Sequence, residues 1–171
     1  MNAHAEIKQD KQIKQMTIDC AELLAALKWV NIVTPARATI PVISQAKFEV
    51  SGERLTISTT DLDIEASETL ACNAKGRWAF VANGVRLVKL LRGLSGPVAF
   101  EVDTKKQKLT LSVEGITLRA NLMSPPEDFP TSMLGNSSKP MGKVKISEAT
   151  LHHALKLLTQ FSICTHPTCN D

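Results

Sequence analysis

Four basic side chains stand where the sequence reads as helix: Lys28 in a first helix, and Arg86, Lys89 and Arg92 in a second. Arg37 follows the first helix directly. The acids lie elsewhere: Glu49, Asp61, Asp63, Glu65, Glu68 and Glu101 all fall in strands and their turns, and Glu22 sits in a helical first turn, where the helix dipole favours an anion. A chain with basic helices and acidic strands has a positive helical face and a negative sheet face. A positive face suits a phosphate backbone, because each Lys or Arg near a phosphate releases condensed counterions. A few basic residues on a helix are equally a solvated face, and spacing three drifts round the helix. Charge pattern alone leaves both readings open.

Other chemistries fare worse. Asp61, Asp63 and Glu65 share one face of a strand candidate, but carboxylates on a single strand point the same way without converging. His152, His153, Cys164, His166 and Cys169 are zinc-ligand types, and Cys-x-His-x-x-Cys matches no standard pair of knuckles. Cys20 and Cys72 lie beside apolar positions and read as packed small residues. There is no Gly-rich phosphate loop and no Ser-His-Asp order. With Tyr absent and aromatics at 4%, a base-stacking platform is not expected, and Trp29 and Trp78 read as core. The expectation is no catalytic residue, no metal and no cofactor.

The frame that must position these residues is 171 long, 43% hydrophobic and 22% charged, with a formal net charge of +3. That suits one ordinary domain and the start of another. No apolar run reaches membrane-spanning length and no h-region opens the chain, so the cytoplasm is the default and no membrane partner is expected. Four scattered cysteines agree with a reducing compartment.

The chain repeats itself. FEVSGERLTIS (Phe48–Ser58) returns as FEVDTKKQKLTLS from Phe100, and the surroundings fall into register. In the first copy a strand enters a helix capped by Asp19, with Leu23, Leu24, Leu27 and Val30 as its apolar stripe and Thr34-Pro35 as its end. Three strands follow, at Pro41–Val50, Arg54–Thr60 and Leu62–Leu70. In the second copy a strand at Arg77–Ala82 leads through the N-cap Asn83 into a helix at Val85–Leu94. Its three strands are Val98–Asp103, Lys108–Val113 and Ile116–Leu122. A Pro-, Gly- and Ser-rich stretch comes next, and the opening formula returns at VKISEATLHHALKLLTQF, with Ser147 as N-cap. The spacing predicts an α+β fold of doubled β-α-β-β-β units with both helices on one face of antiparallel sheets. Its parts are a mobile extension at 1–15, a domain at 16–123 (units about 16–70 and 77–122), a linker at 124–142, and the first strand and helix of an incomplete second domain at 143–171.

Four segments in order carry a resemblance. TTDLDIEAS (Thr59–Ser67) resembles the hallmark of the bacterial DNA polymerase III beta subunit, the sliding clamp. RATIPVISQAKFEV (Arg37–Val50) is similar to that family's Arg-x-Thr-Leu-Pro-Ile-Leu segment, PPEDFP (Pro125–Pro130) to the end of its first domain, and ISEATLHHALKLLTQFSI to the beginning of its second. The match runs from about Met16 to Thr168. It implies a DNA-clamp fold, with helices lining a hole around duplex DNA and sheets forming the outer wall. It implies a processivity factor without catalytic activity, which encircles duplex DNA through backbone contacts and tethers the replicative polymerase.

Carried over residue by residue, Arg37 matches the Arg that the family turns towards DNA after its first helix, Lys28 lies on that helix, and Arg86, Lys89 and Arg92 on the second. The resemblance implies the DNA polymerase III core and the clamp loader as partners, though their groove lies on later domains that these residues do not include. It also implies self-association or pairing with other clamp subunits. Where the family often has an Arg-rich strand at its dimer interface, near Gly115, this sequence has Ile116 and Thr117 with only Arg119 nearby. After Cys164 the expected Thr-Arg-Tyr-Tyr becomes Thr168, Cys169, Asn170. A second reading is a shortened relative that docks by a sheet edge onto an intact clamp or replication protein.

Overall fold

The structure is a computed structural model that describes residues 13–35, 38–122, 124–130 and 145–161. The chain divides into two units, Met1–Ser132 and Met133–Asp171.

The first unit opens with strand β1 (Ile13–Asp19) and helix α1 (Cys20–Val30). The strand begins three residues before the expected start of the domain at 16, because Ile13–Asp19 finds a full antiparallel partner. The Asp19 carboxylate ends it by accepting the N–H groups of Ala21 at 2.8 Å and Glu22 at 3.1 Å, two of the donors that a helix start leaves free. Cys20, Leu23, Ala26, Leu27 and Val30 are buried, one stripe at helical spacing. The helix stops at Val30, and Asn31 caps its end.

Strands β2 (Ala46–Ser51), β3 (Arg54–Thr60), β4 (Glu65–Ala71) and β5 (Asn73–Ala74) follow. Two expectations need correction here. Pro41–Ser44 is a 3-10 turn rather than the start of a strand: Pro41 has no N–H for a ladder, and its carbonyl accepts the Ser44 hydroxyl at 2.7 Å. Asp61–Ile64 is a loop, because the Asp61 carboxylate accepts the N–H groups of Asp63 at 3.0 Å and Ile64 at 2.7 Å and holds Leu62 at φ 86°.

Strand β6 (Arg77–Ala82) runs into helix α2 (Gly84–Leu91), with the Asn83 side chain accepting the Arg86 N–H at 2.8 Å. Strands β7 (Pro97–Asp103), β8 (Lys108–Val113) and β9 (Ile116–Asn121) complete the unit. In the second unit, helix α3 (Glu148–Phe161) starts at Ser147, whose hydroxyl accepts the Thr150 N–H at 3.1 Å. Residues 145–147 carry no strand pairing, and the rest of the strand expected before α3 lies outside the described residues.

The two repeats exchange their first strands. One sheet has the order β5-β1-β7-β8-β9 and the other β4-β3-β2-β6, so β1 of the first copy joins the three strands of the second, and β6 of the second joins those of the first. The registers correspond: Met16 faces Phe100 and Phe80 faces Phe48. All four side chains are buried. Phe80 stacks on Phe48 at 4.6 Å and meets Phe100 of the other sheet at 6.2 Å, so both repeated FEV phenylalanines converge on one ring. Trp78 stacks on Phe80 from the side.

The helices pack against one another in opposite directions. Gly84 at the start of α2 lies against Asn31 at the end of α1, where a Cβ on Gly84 would meet Asn31 Oδ1 at 2.5 Å. Cys20 at the start of α1 has its sulfur 3.9 Å from the Leu91 carbonyl at the end of α2.

Candidate nucleic-acid interface

Antiparallel packing sets the last turn of α1 beside the first turn of α2, which brings Lys28 and Arg86 onto adjoining turns. Both side chains are exposed, as are Lys89 and Arg92. Arg92 is corrected from helix to cap: α2 ends at Leu91, and Arg92 turns extended at φ −63°, ψ 124°, ahead of Gly93 at φ 83°. No ion pair engages Lys28, Arg86, Lys89 or Arg92 among the described residues. Arg37 lies outside the described residues.

The loop that leads to Arg37 leaves from a fixed point. Thr59, fully buried, donates its hydroxyl to the Val30 carbonyl at the end of α1. Next to it, the Thr60 hydroxyl donates to the Ile64 carbonyl at 2.8 Å and accepts the Leu62 N–H at 2.9 Å. The diagnostic TTDLD stretch is therefore a scaffold: it ties strand to helix and makes a tight turn. Asn31 Nδ2 is buried at the same helix end with no hydrogen-bond partner among the described residues.

The acidic side chains mostly face away. Glu49, Glu53, Asp63 and Glu101 are exposed on strands and turns. Glu68 is an exception. It alternates with Ala66 and Leu70 on the half-buried face of β4 and lines a groove of about 590 Å³ beneath α1 with Glu22 and Trp29. Trp29 is corrected from core to surface, 56% exposed, because it lies off the buried Leu23–Leu27–Val30 stripe. No cluster of three metal-ligand types occurs among the described residues, and Cys164, His166 and Cys169 fall outside them. Burial raises the thiol pKa of Cys20, helped by Asp19 and Glu114, and burial with Glu53 raises that of Cys72, so neither is an activated nucleophile.

A family model described as the DNA polymerase III beta subunit, N-terminal domain, matches residues 14–133. This chain belongs to the DNA polymerase III beta subunit family. It is 30% identical over 117 residues to the beta sliding clamp of Caulobacter vibrioides, a match covering 68% of this chain and 32% of that protein. Among solved structures, a Caulobacter crescentus beta sliding clamp superposes with a TM-score of 0.66 at 27% identity, covering 70% of this chain and 32% of that one. A Bartonella birtlesii sliding clamp superposes with a TM-score of 0.78 at 23% identity, over 91% and 41% of the two chains, and shows the shared fold. The chain spans about a third of the length of the curated relatives it matches. No helix among the described residues is long and apolar enough to cross a membrane.

Proposed function

We propose that this beta-subunit domain serves as part of a DNA sliding clamp, a cytoplasmic, non-catalytic processivity factor that holds duplex DNA against its helices. One observation carries the reading. Lys28, Arg86, Lys89 and Arg92 are exposed and, among the described residues, free of ion pairs on and beside two adjoining helices, while Glu49 and Glu101 lie on the outer faces of their sheets. Arg37, which follows α1 in sequence, adds a fifth cation by family resemblance. These groups contact phosphates and position the duplex without reading bases. Residues 143–171 are the beginning of a second clamp domain, and the linker to it starts after Phe129 rather than at 124, because Phe129 is buried with Val42, Ile43 and Val81 of the first unit. Polymerase and clamp loader would bind through domains beyond these residues.

The test is duplex binding at low salt by the wild-type chain and by an Arg37→Glu, Lys89→Glu variant. Binding should be independent of sequence and fall steeply with salt, and the variant should lose about tenfold or more. Unchanged binding sinks the assignment.

A second reading, docking onto another clamp subunit, is favoured by a specific feature: β4 and β9 are sheet edges with no strand partner on their outer side among the described residues. A mixed complex with an intact clamp, seen by particle mass, would support it.

A further inference from the structure

Strand β6 is buried on both faces, where an antiparallel sheet commonly leaves one face to solvent. Phe80 and Ala82 point into the main core, whereas Val81 between them points the other way and is fully buried as well. Two pieces of chain far apart in sequence cover it. Val42 and Ile43 come from the 3-10 turn Pro41–Ser44, and Phe129 comes from the end of the unit. With Val81 they form a second, small apolar cluster, and Ala38 is partly buried against it.

Both pieces are closed turns that hold their apolar residues in place. In the first, the Ile43 N–H donates to the Ile40 carbonyl at 3.2 Å and the Gln45 N–H to the Val42 carbonyl at 3.1 Å. In the second, the N–H groups of Asp128 and Phe129 donate to the carbonyls of Pro125 at 3.2 Å and Pro126 at 3.3 Å, and the two prolines fix φ on the approach. A polar contact joins the turns: the Gln45 side chain, 5% exposed, donates to the Ser124 hydroxyl at 3.1 Å. Residues 124–129 thus hold residues 38–45 twice, through the apolar cluster and through Gln45.

The stretch between α1 and β2 therefore has an anchor at each end. It leaves α1 at Val30, whose carbonyl Thr59 holds, and it returns across Val81 beside Phe129. In sequence Arg37 stands between the anchors, next to Ala38. We propose that Phe129 and Ser124 are positioning residues for Arg37: the end of the unit braces the returning limb of this stretch, and the brace limits where the guanidinium can stand. A cation held near its binding geometry loses less freedom on meeting a phosphate. Shielding Val81 would account for Phe129 but not for Ser124, whose bond to Gln45 lies outside the apolar cluster and ties the two segments directly. The inference rests on the reading of Arg37 as a phosphate contact.

The experiment has two readouts on the full chain. Hydrogen exchange without DNA follows the amides of Ile43 and Gln45, and duplex binding at low salt follows the cation. Phe129→Ala should speed exchange at both amides about tenfold while the β2–β3 ladder keeps its protection. It should weaken duplex binding about threefold, the scale of one side chain that must be ordered on binding. In an Arg37→Ala background the same substitution should bring no further loss. Phe129→Leu, which refills the cluster, should return both readouts towards wild type. Ser124→Ala removes only the partner of Gln45; it should weaken binding about twofold, and it carries the test should Phe129→Ala not fold. Unchanged exchange at Ile43 and Gln45 in both variants overturns the brace. An equal loss of binding with and without Arg37 overturns the positioning, since Phe129 would then act through another part of the surface. An Arg37→Ala chain that binds duplex as tightly as wild type sinks the phosphate reading of Arg37 instead. The exchange result still decides the brace in that case, so the two fail separately.

Discussion

The hydroxyl of Thr59, at the end of the strand Arg54–Thr60, donates to the main-chain carbonyl of Val30, at the end of the helix Cys20–Val30. This bond anchors the helix terminus from which the chain departs towards Arg37. Thr59→Val keeps the shape and removes the donor, leaving a buried carbonyl without its partner. The expected loss is about 1–2 kcal/mol of stability, read as a lower urea midpoint at constant slope.

Gly84→Ala inverts a general rule. Alanine in a helix is normally favoured over glycine by roughly 1 kcal/mol. Here the new methyl would meet Asn31 Oδ1 at 2.5 Å, Asn31 Nδ2 at 3.0 Å and Ala46 Cβ at 3.2 Å. The variant should be destabilised, and adding Asn31→Ala should recover part of the loss. Additive effects in that double-mutant cycle would count against the contact.

Phe80 is the ring on which both sheets close, stacked on Phe48 and touching Phe100. Phe80→Ala should cost about 3–5 kcal/mol. Thermal unfolding would then start well below that of wild type, and a change under 1 kcal/mol would place the core elsewhere.

Cys20 gives a pH dependence with a definite sign. Its folded pKa is raised by burial, so the unfolded chain ionises first. The stabilising effect is complete below the ordinary thiol value and is lost as pH rises from there through the raised folded value. Stability should fall on the alkaline side, and Cys20→Ala should flatten that limb. Alkylation mapped by mass should leave Cys20 unlabelled in the native protein at neutral pH and label it in urea.

The Asp61 turn separates a structural carboxylate from a chemical one. Asp61→Asn keeps an oxygen for the Asp63 and Ile64 N–H groups and should be nearly neutral, whereas Asp61→Ala should cost about 1 kcal/mol. Equal losses in urea titrations of the two variants would mean that charge, rather than the hydrogen bonds, matters there.

Much of this was legible in the residues. Asp19 and Asn83 announce helix starts because a short acceptor before an apolar stripe has few other uses, and both cap as expected. Arg54–Thr60, Arg77–Ala82 and Lys108–Val113 are strands at the bounds that their alternation and flanking turns suggest. Local signals failed where side chains act on their own backbone. Pro41 and Asp61 sit in strand-like runs, yet each closes a turn. Trp29 misled because its neighbours in sequence are apolar while its direction from the helix axis is outward.

By itself the sequence determined the doubled unit, the caps, the family and the basic character of the helices, because periodicity, capping and charge are properties of neighbouring residues. Only the tertiary structure decided that the copies exchange first strands, that Phe48 and Phe100 meet on Phe80, and that Arg86 lines one cavity with Lys108 and Arg119. The physical reason is that a strand's pattern shows that it must pair and which face it buries. Its choice of partner depends on how two sheets and two helices cover one core together, and no single segment carries that information.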